Sequence, residues 1–278
     1  MEKDHEIRPG QSLELLKELH ILTRDGRMNQ DSRRKLKQVY HLYRFVEPLL
    51  QESRQTSSDI QLVDIGAGKS YLGFILYDLF FKGLNNGSHI YGIEARHELV
   101  EKSRALAGRL GFPGMSFLDK TVADALTAPE LPARIDIVTA LHACDTATDD
   151  AIRFALGRQA AFIVLAPCCQ AEVAAHLRKN KGKALANPLA ELWRHPLHTR
   201  EFGSQVTNVL RCLQLETHGY QVSVTELVGW EHSMKNELII ARHNGQPGKH
   251  HAARLDALLC LLGLEDLRER FFTPQFSP

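Results

Sequence analysis

An α/β domain with a doubly wound, mostly parallel sheet is the fold class this sequence predicts, and three observations predict it. Residues 62–73, LVDIGAGKSYLG, run from an apolar stretch through Asp64 into a tight glycine turn and on into the apolar, helix-like YLGFILYDLF. One crossover later, HIYGIEAR is a second apolar run that ends in an acid, Glu94. Beyond it, apolar runs keep alternating with helical patterns as far as residue 166, the rhythm of strands joined by crossover helices.

Taken in order, residues 11–53 read as helical. Leu13, Leu15, Leu16 and Leu19 start one pattern, Arg24-Asp25-Gly26 makes a turn, and Leu36, Val39, Tyr40, Leu42, Tyr43 and Val46 carry a second helix. The polar stretch QESRQTSSD at 51–59 reads as a linker. Strands are expected at about 61–65, 89–94, 115–119, 135–141 and 160–166, with helical patterns such as 96–110 and 147–156 between them. QVSVTELVG (221–229) and NELIIARH (236–243) read as a hairpin-like ending, 244–250 as a Gly/Pro/His loop, and 252–271 as one amphipathic helix. HPLHTREFGS (195–204) and EHSMKNE (231–237) read as polar loops, with His198 and His232 as minor candidates for the substrate face. The organisation is therefore a helical extension (1–58), a sheet domain (59–243) and a C-terminal loop and helix (244–278).

Composition fits a globular enzyme: of 278 residues, 44% are hydrophobic and 24% charged. Lys+Arg 34 against Asp+Glu 33 leaves no whole-protein pull on nucleic acid, so RNA contact would have to use a local patch. The chain begins polar and charged, and no apolar run approaches the ~20 residues a membrane span needs. Five cysteines without framework spacing suit reduced thiols, and the expected location is cytoplasmic.

Strand, glycine turn, helix, strand, acid is how such a domain holds an adenosine-bearing cofactor at its strand ends. A triphosphate loop needs GxxxxGKS, but the residue five before Gly68 is Val63. A dinucleotide turn needs GxGxxG, and its third position is Tyr71. S-adenosylmethionine has no phosphates and needs no anion cradle. It needs an acid near its cationic end, a part for Asp64, and an acid for its ribose hydroxyls, a part for Glu94. An unliganded strand–turn–helix connection is the plain alternative.

DIGAGKSYLGFILYD followed by YGIEAR resembles the class I S-adenosylmethionine-dependent methyltransferases. More narrowly it is similar to the "methyltransferase domain" branch that includes the eukaryotic tRNA 2′-O-ribose methyltransferases. LHACDTATDDAI (141–152) is similar to a family segment KHLCGxATD, with Leu141 in place of the lysine and Asp145 in place of the glycine. LAPCCQ (165–170) is similar to a family CCH-type segment. The likeness covers roughly residues 60–242. It implies a Rossmann-like seven-stranded sheet whose last strand is antiparallel. It also implies a cofactor turn of Asp64, Gly66, Ala67 and Gly68, ribose binding by Glu94, Asp124 at the adenine amino group, and Leu141 and His142 at the methyl-donor end.

Chemistry is concentrated at two neighbouring strand ends, where His142, Cys144 and Asp145 face Cys168 and Cys169. His142 or Asp145 could orient or deprotonate a hydroxyl. Cys168, Cys169 or Cys144 could instead add to a pyrimidine ring. Zinc binding is disfavoured, because adjacent cysteines rarely share one ion and no Cys-x-x-Cys spacing exists, so no metal is expected. The thiols could also be small packing atoms. Residues 24–44 hold seven Lys/Arg against two acids, and Arg33, Arg34 and Lys37 could face outward as a phosphate-tracking strip. Lys179, Lys181 and Lys183 form a second cluster; solvated helix faces are the plain alternative. The expectation is an enzyme acting on RNA, structured tRNA or rRNA, with a ribose hydroxyl favoured over a base. A protein or small-molecule methyltransferase, or a non-catalytic binding module, stands as the alternative.

Overall fold

The computed structural model describes residues 6–84, 86–141, 143, 145–167, 170–179, 188–227, 237–246 and 248–272. Five parallel strands form the centre: β1 (Gln61–Ile65), β2 (His89–Glu94), β3 (Met115–Asp119), β4 (Ile137–Ala140) and β5 (Phe162–Leu165). β6 (Tyr220–Glu226) and β7 (Glu237–His243) complete a seven-stranded sheet in the order β3-β2-β1-β4-β5-β7-β6, with β7 antiparallel to both neighbours. The chain order reverses at β1, where β2 lies on one side and β4 on the other. That switch point opens a crevice at the carboxyl ends of the strands.

Alternation along each strand sorts side chains onto two faces. Leu62, Ile90, Phe117 and Ile137 join one apolar cluster, while Val63, Ile93, Leu118 and Val138 join another on the opposite face. The first face is covered by α1 (Leu13–Glu18), α2 (Gln30–Thr56) and α3 (Tyr71–Leu79), whose Leu15, Leu16, Leu36, Tyr40, Tyr43 and Phe74 share the cluster. The N-terminal helices and the sheet thus share one core, and each fully buried leucine contributes roughly 1.5–3 kcal/mol. Asp78 of α3 accepts the Ser12 N–H at 2.9 Å, tying the first cap to the sheet layer.

The other helices are α4 (His97–Leu110), α5 (Val122–Ala125), α6 (Thr146–Gly157), α7 (Glu172–Lys179), α8 (Pro196–Thr217), α9 (Lys249–Leu262) and α10 (Arg268–Phe271). α7, α8 and α9 pack a third cluster around the buried Trp193.

Three sequence expectations are corrected here. The expected linker at 51–59 is mostly helix, because α2 runs to Thr56 with Ser53 buried beneath its polar face. The helix expected over 252–271 stops at Leu262, where Gly263 takes φ 65 and lets the chain turn away. His198 lies inside α8, which Pro196 opens at its first turn, and not in a loop.

Candidate functional site

β1 delivers Asp64 to the switch point on the face covered by α2 and α3. It is fully enclosed, and its only side-chain hydrogen bond among the described residues comes from Thr139 Oγ1, 2.6 Å from Oδ1. Register places Thr139 of β4 directly opposite Asp64. Burial pushes the Asp64 carboxyl up to about 7, against the opposing pull of the Thr139 hydroxyl. Among the described residues this buried acid has no cationic partner.

The chain then turns sharply. Gly66 and Gly68 have φ 64 and 58, left-handed values that glycine adopts at no steric cost. Ala67 N–H donates to the Ile93 carbonyl at 3.0 Å, and Gly68 N–H to Glu94 Oε2 at 2.8 Å, so the turn is stitched to the end of β2. Glu94 Oε1 also accepts the Arg96 backbone N–H at 3.0 Å and Nε at 2.8 Å, while Arg96 Nη2 reaches Oε2 at 3.2 Å. Burial works to raise the Glu94 carboxyl, but the hydrogen bonds from Arg96 and Gly68 outweigh it and hold it below its usual value. Glu94 is therefore ionised at neutral pH.

Asp124 lies on α5, exposed, with its carboxylate accepting the Thr121 hydroxyl at 2.7 Å. Leu141, just past β4, closes one end of an apolar cleft of about 270 Å³. Its other walls are Leu19 and Ile21, then Lys35, Gln38, Val39 and Leu42 of α2, and Tyr71, Leu72 and Ile75 of α3. Tyr71 follows the glycine turn by three residues, so cleft and cofactor turn are adjacent.

Asp145 sits at φ 51, ψ −122, a conformation costly for any residue with a Cβ. Its Oδ1 accepts the N–H groups of Ala171 and Glu172 at 2.9 and 3.4 Å, capping the start of α7. Its carbonyl accepts from Nη2 of Arg211 at 2.8 Å. Arg211, buried within α8, also forks onto Asp149 at 2.7 and 2.9 Å. The structure therefore engages Asp145 in holding the loop after β4 to α7. His142, Cys144, Cys168 and Cys169 lie outside the described residues, as do His232, Lys181 and Lys183.

Arg33, Arg34, Lys37 and Lys179 are exposed. Lys35, Gln38, Val39 and Leu42 share the cleft-facing side of α2. Arg33 and Lys37 fall nearly opposite, and Arg34 about a quarter turn away. Arg96, Thr139, Asp149 and Arg211 were not singled out from sequence. Arg211 alone left a signal there, a lone charge within the apolar run VLRCLQL. Among the described residues no group of three or more His, Cys, Asp or Glu could hold a metal ion, and no helix is long and apolar enough to cross a membrane.

The strand order, with β7 antiparallel, is that of the class I methyltransferase fold. A family model described as "Methyltransferase domain" matches residues 34–176, and the chain belongs to that family; its methyl donor is S-adenosylmethionine. No curated protein sequence matches significantly. Among solved structures, magnesium protoporphyrin IX methyltransferase from Synechocystis PCC 6803, with bound SAH, aligns at 14% identity over 83% of this chain and 93% of its own, with a TM-score of 0.44. Precorrin-6y C5,15-methyltransferase from Geobacter metallireducens GS-15 aligns at 18% identity over 66% and 79%, with a TM-score of 0.41. Aeropyrum pernix fibrillarin, with natively bound S-adenosyl-L-methionine, aligns at 12% identity over 66% of each chain, with a TM-score of 0.40.

Proposed function

We propose that this methyltransferase acts on RNA and places the methyl on a ribose hydroxyl in preference to a base. The observation carrying this reading is that one helix, α2, walls the apolar cleft beside Leu141 and also presents the exposed cations Arg33, Arg34 and Lys37. An unstacked base is flat and takes apolar walls, as single-strand recognition requires, while its flanking phosphates cross the N-terminal half of α2. Lys179, Lys181 and Lys183 would extend the phosphate track.

When bound, S-adenosylmethionine supplies an electrophilic methyl group on a sulfonium. Around it, Asp64 provides the countercharge, and Gly66, Ala67 and Gly68 bring the backbone close. Glu94 accepts the ribose hydroxyls and Asp124 meets the adenine amino group. Leu141 and His142 line the methyl-donor end. Because Asp145 caps α7, we assign it to positioning the loop, and assign His142 to orienting or deprotonating the attacking hydroxyl. Cys168 and Cys169 then serve as packing atoms, not nucleophiles.

A free aromatic small molecule is the second reading. It is favoured by the mostly apolar lining of the cleft and by the placement of Arg33 and Lys37 on the far side of α2. Incubation with methyl-labelled S-adenosylmethionine and separated RNA, protein and metabolite fractions tests the order. Label in RNA, released as 2′-O-methyl nucleoside, is the expected result. Label confined to metabolites would reverse the two readings.

A further inference from the structure

A carboxylate has about four acceptor directions, two per oxygen. On Glu94 all four are filled: by the Gly68 N–H at 2.8 Å, the Arg96 N–H at 3.0 Å, Arg96 Nε at 2.8 Å and Arg96 Nη2 at 3.2 Å. The two backbone donors, one in the glycine turn and one at the N-cap of α4, are part of the main chain and remain whatever binds. The other two come from a planar fork that spans both oxygens. Two donors on adjacent atoms, reaching both oxygens of one carboxylate, is also what a ribose 2′,3′-diol offers. The Arg96 side chain is 64% exposed, and a Cβ on Gly68 would stand 3.8 Å from its Nη2. The guanidinium therefore lies beside the glycine turn, on the solvent side of Glu94.

We infer that Arg96 is an internal competitor for the cofactor's ribose: its guanidinium takes the place of the diol on Glu94 and has to swing into solvent before a cofactor can bind. The inference rests on the reading of Glu94 as the ribose acceptor. It makes two demands that a simple brace on Glu94 does not. Removing the guanidinium should tighten binding of every ribose-bearing ligand. The advantage should also shrink at high salt, because an exposed ion pair is screened while hydroxyl-to-carboxylate bonds are screened far less.

The test is calorimetric titration of S-adenosylhomocysteine and of adenosine into the wild type, Arg96→Met and Glu94→Gln, at about 0.05 M and about 0.5 M salt. Adenosine lacks the amino-acid end, so it isolates the ribose contact from any direct attraction between Arg96 and the ligand carboxylate. Arg96→Met should bind both ligands about threefold to tenfold more tightly at low salt, with the gain falling at high salt, while Glu94→Gln weakens both at least about tenfold. Equal or weaker binding by Arg96→Met, with Glu94→Gln still weakened, would overturn the competitor and leave the Glu94 assignment standing. Undiminished binding by Glu94→Gln would remove the assignment and the inference together.

Discussion

Replacing Asp64 with asparagine should make the protein more stable at neutral pH while weakening its hold on the cofactor. Asparagine keeps the size and the acceptor that Thr139 uses, but cannot ionise. The wild-type carboxyl is raised from 3.8 to about 7 by burial. A raised folded-state value means the folded protein holds this proton more tightly than the unfolded chain does. The stability it confers is complete below about pH 4 and is lost as pH rises to 7. Three pKa units correspond to about 4 kcal/mol. Urea unfolding of both proteins from pH 5 to 8.5 should show the Asp64→Asn variant gaining on wild type by roughly 1.4 kcal/mol per pH unit up to pH 7, then levelling. Groups that titrate alike in both proteins cancel in this difference. Cofactor affinity should move the other way. Wild type should bind about fivefold more tightly at pH 7 than at pH 6, as the countercharge forms, while Asp64→Asn binds weakly and with little pH dependence. A stability difference that stays flat across the range would refute the argument that Asp64 is an enclosed acid without a cation.

The basic strip is tested by changing Arg33, Arg34 and Lys37 to Gln together. RNA binding should weaken and its salt dependence flatten by ~0.7 log units per lost contact, measured by titration at several salt concentrations, with cofactor binding unchanged. Cys144→Ser and Cys168→Ser should each keep methyl transfer within about tenfold of wild type, and RNA carrying 5-fluoropyrimidines should leave no adduct on a denaturing gel. At Asp145, Ala keeps the strained backbone wild type already has and loses only the cap on α7, so it should cost about 1–2 kcal/mol in urea unfolding; Gly also loses the cap but relieves the strain and should stay within about 1 kcal/mol of wild type.

The five parallel strands were legible because each is a short apolar run punctuated by glycine, proline or charge, a signal carried by neighbours in sequence. What escaped was set by neighbours in space. QESRQT continues α2 because Ser53 meets the core and the rest faces water, and neither fact shows in a polar hexapeptide. α8 was hidden because its buried positions include Thr199, Asn208, Arg211 and Gln214, polar side chains whose burial depends on partners elsewhere. Gln170 and Glu237 meet Asn208, and Asp149 meets Arg211. The glycine turn shows the same division. Asp64, Gly66, Gly68 and Glu94 stand out by their spacing, and the fold brings Gly68 and Glu94 into contact. Thr139 opposite Asp64, and the fork of Arg96 on Glu94, depend on register and rotamer.

The loop after β4 departs from its resembled pattern without falling apart. Where that pattern has glycine, Asp145 holds a backbone conformation costing roughly 1–3 kcal/mol. Its own carboxylate offsets part of this by capping α7, and the buried Arg211 takes its carbonyl. Arg211 cannot leave, because breaking its pair with Asp149 would strand a charge in the core at about 3–5 kcal/mol. Leu141 lines the cleft, and Asp145 is held against α7. A glycine there would turn more easily and keep the carbonyl's bond to Arg211, but would lose the tie to α7. The aspartate side chain thus adds a second tie, to α7, beside the tie its carbonyl makes to Arg211, and the two together offset the strain that glycine would not carry.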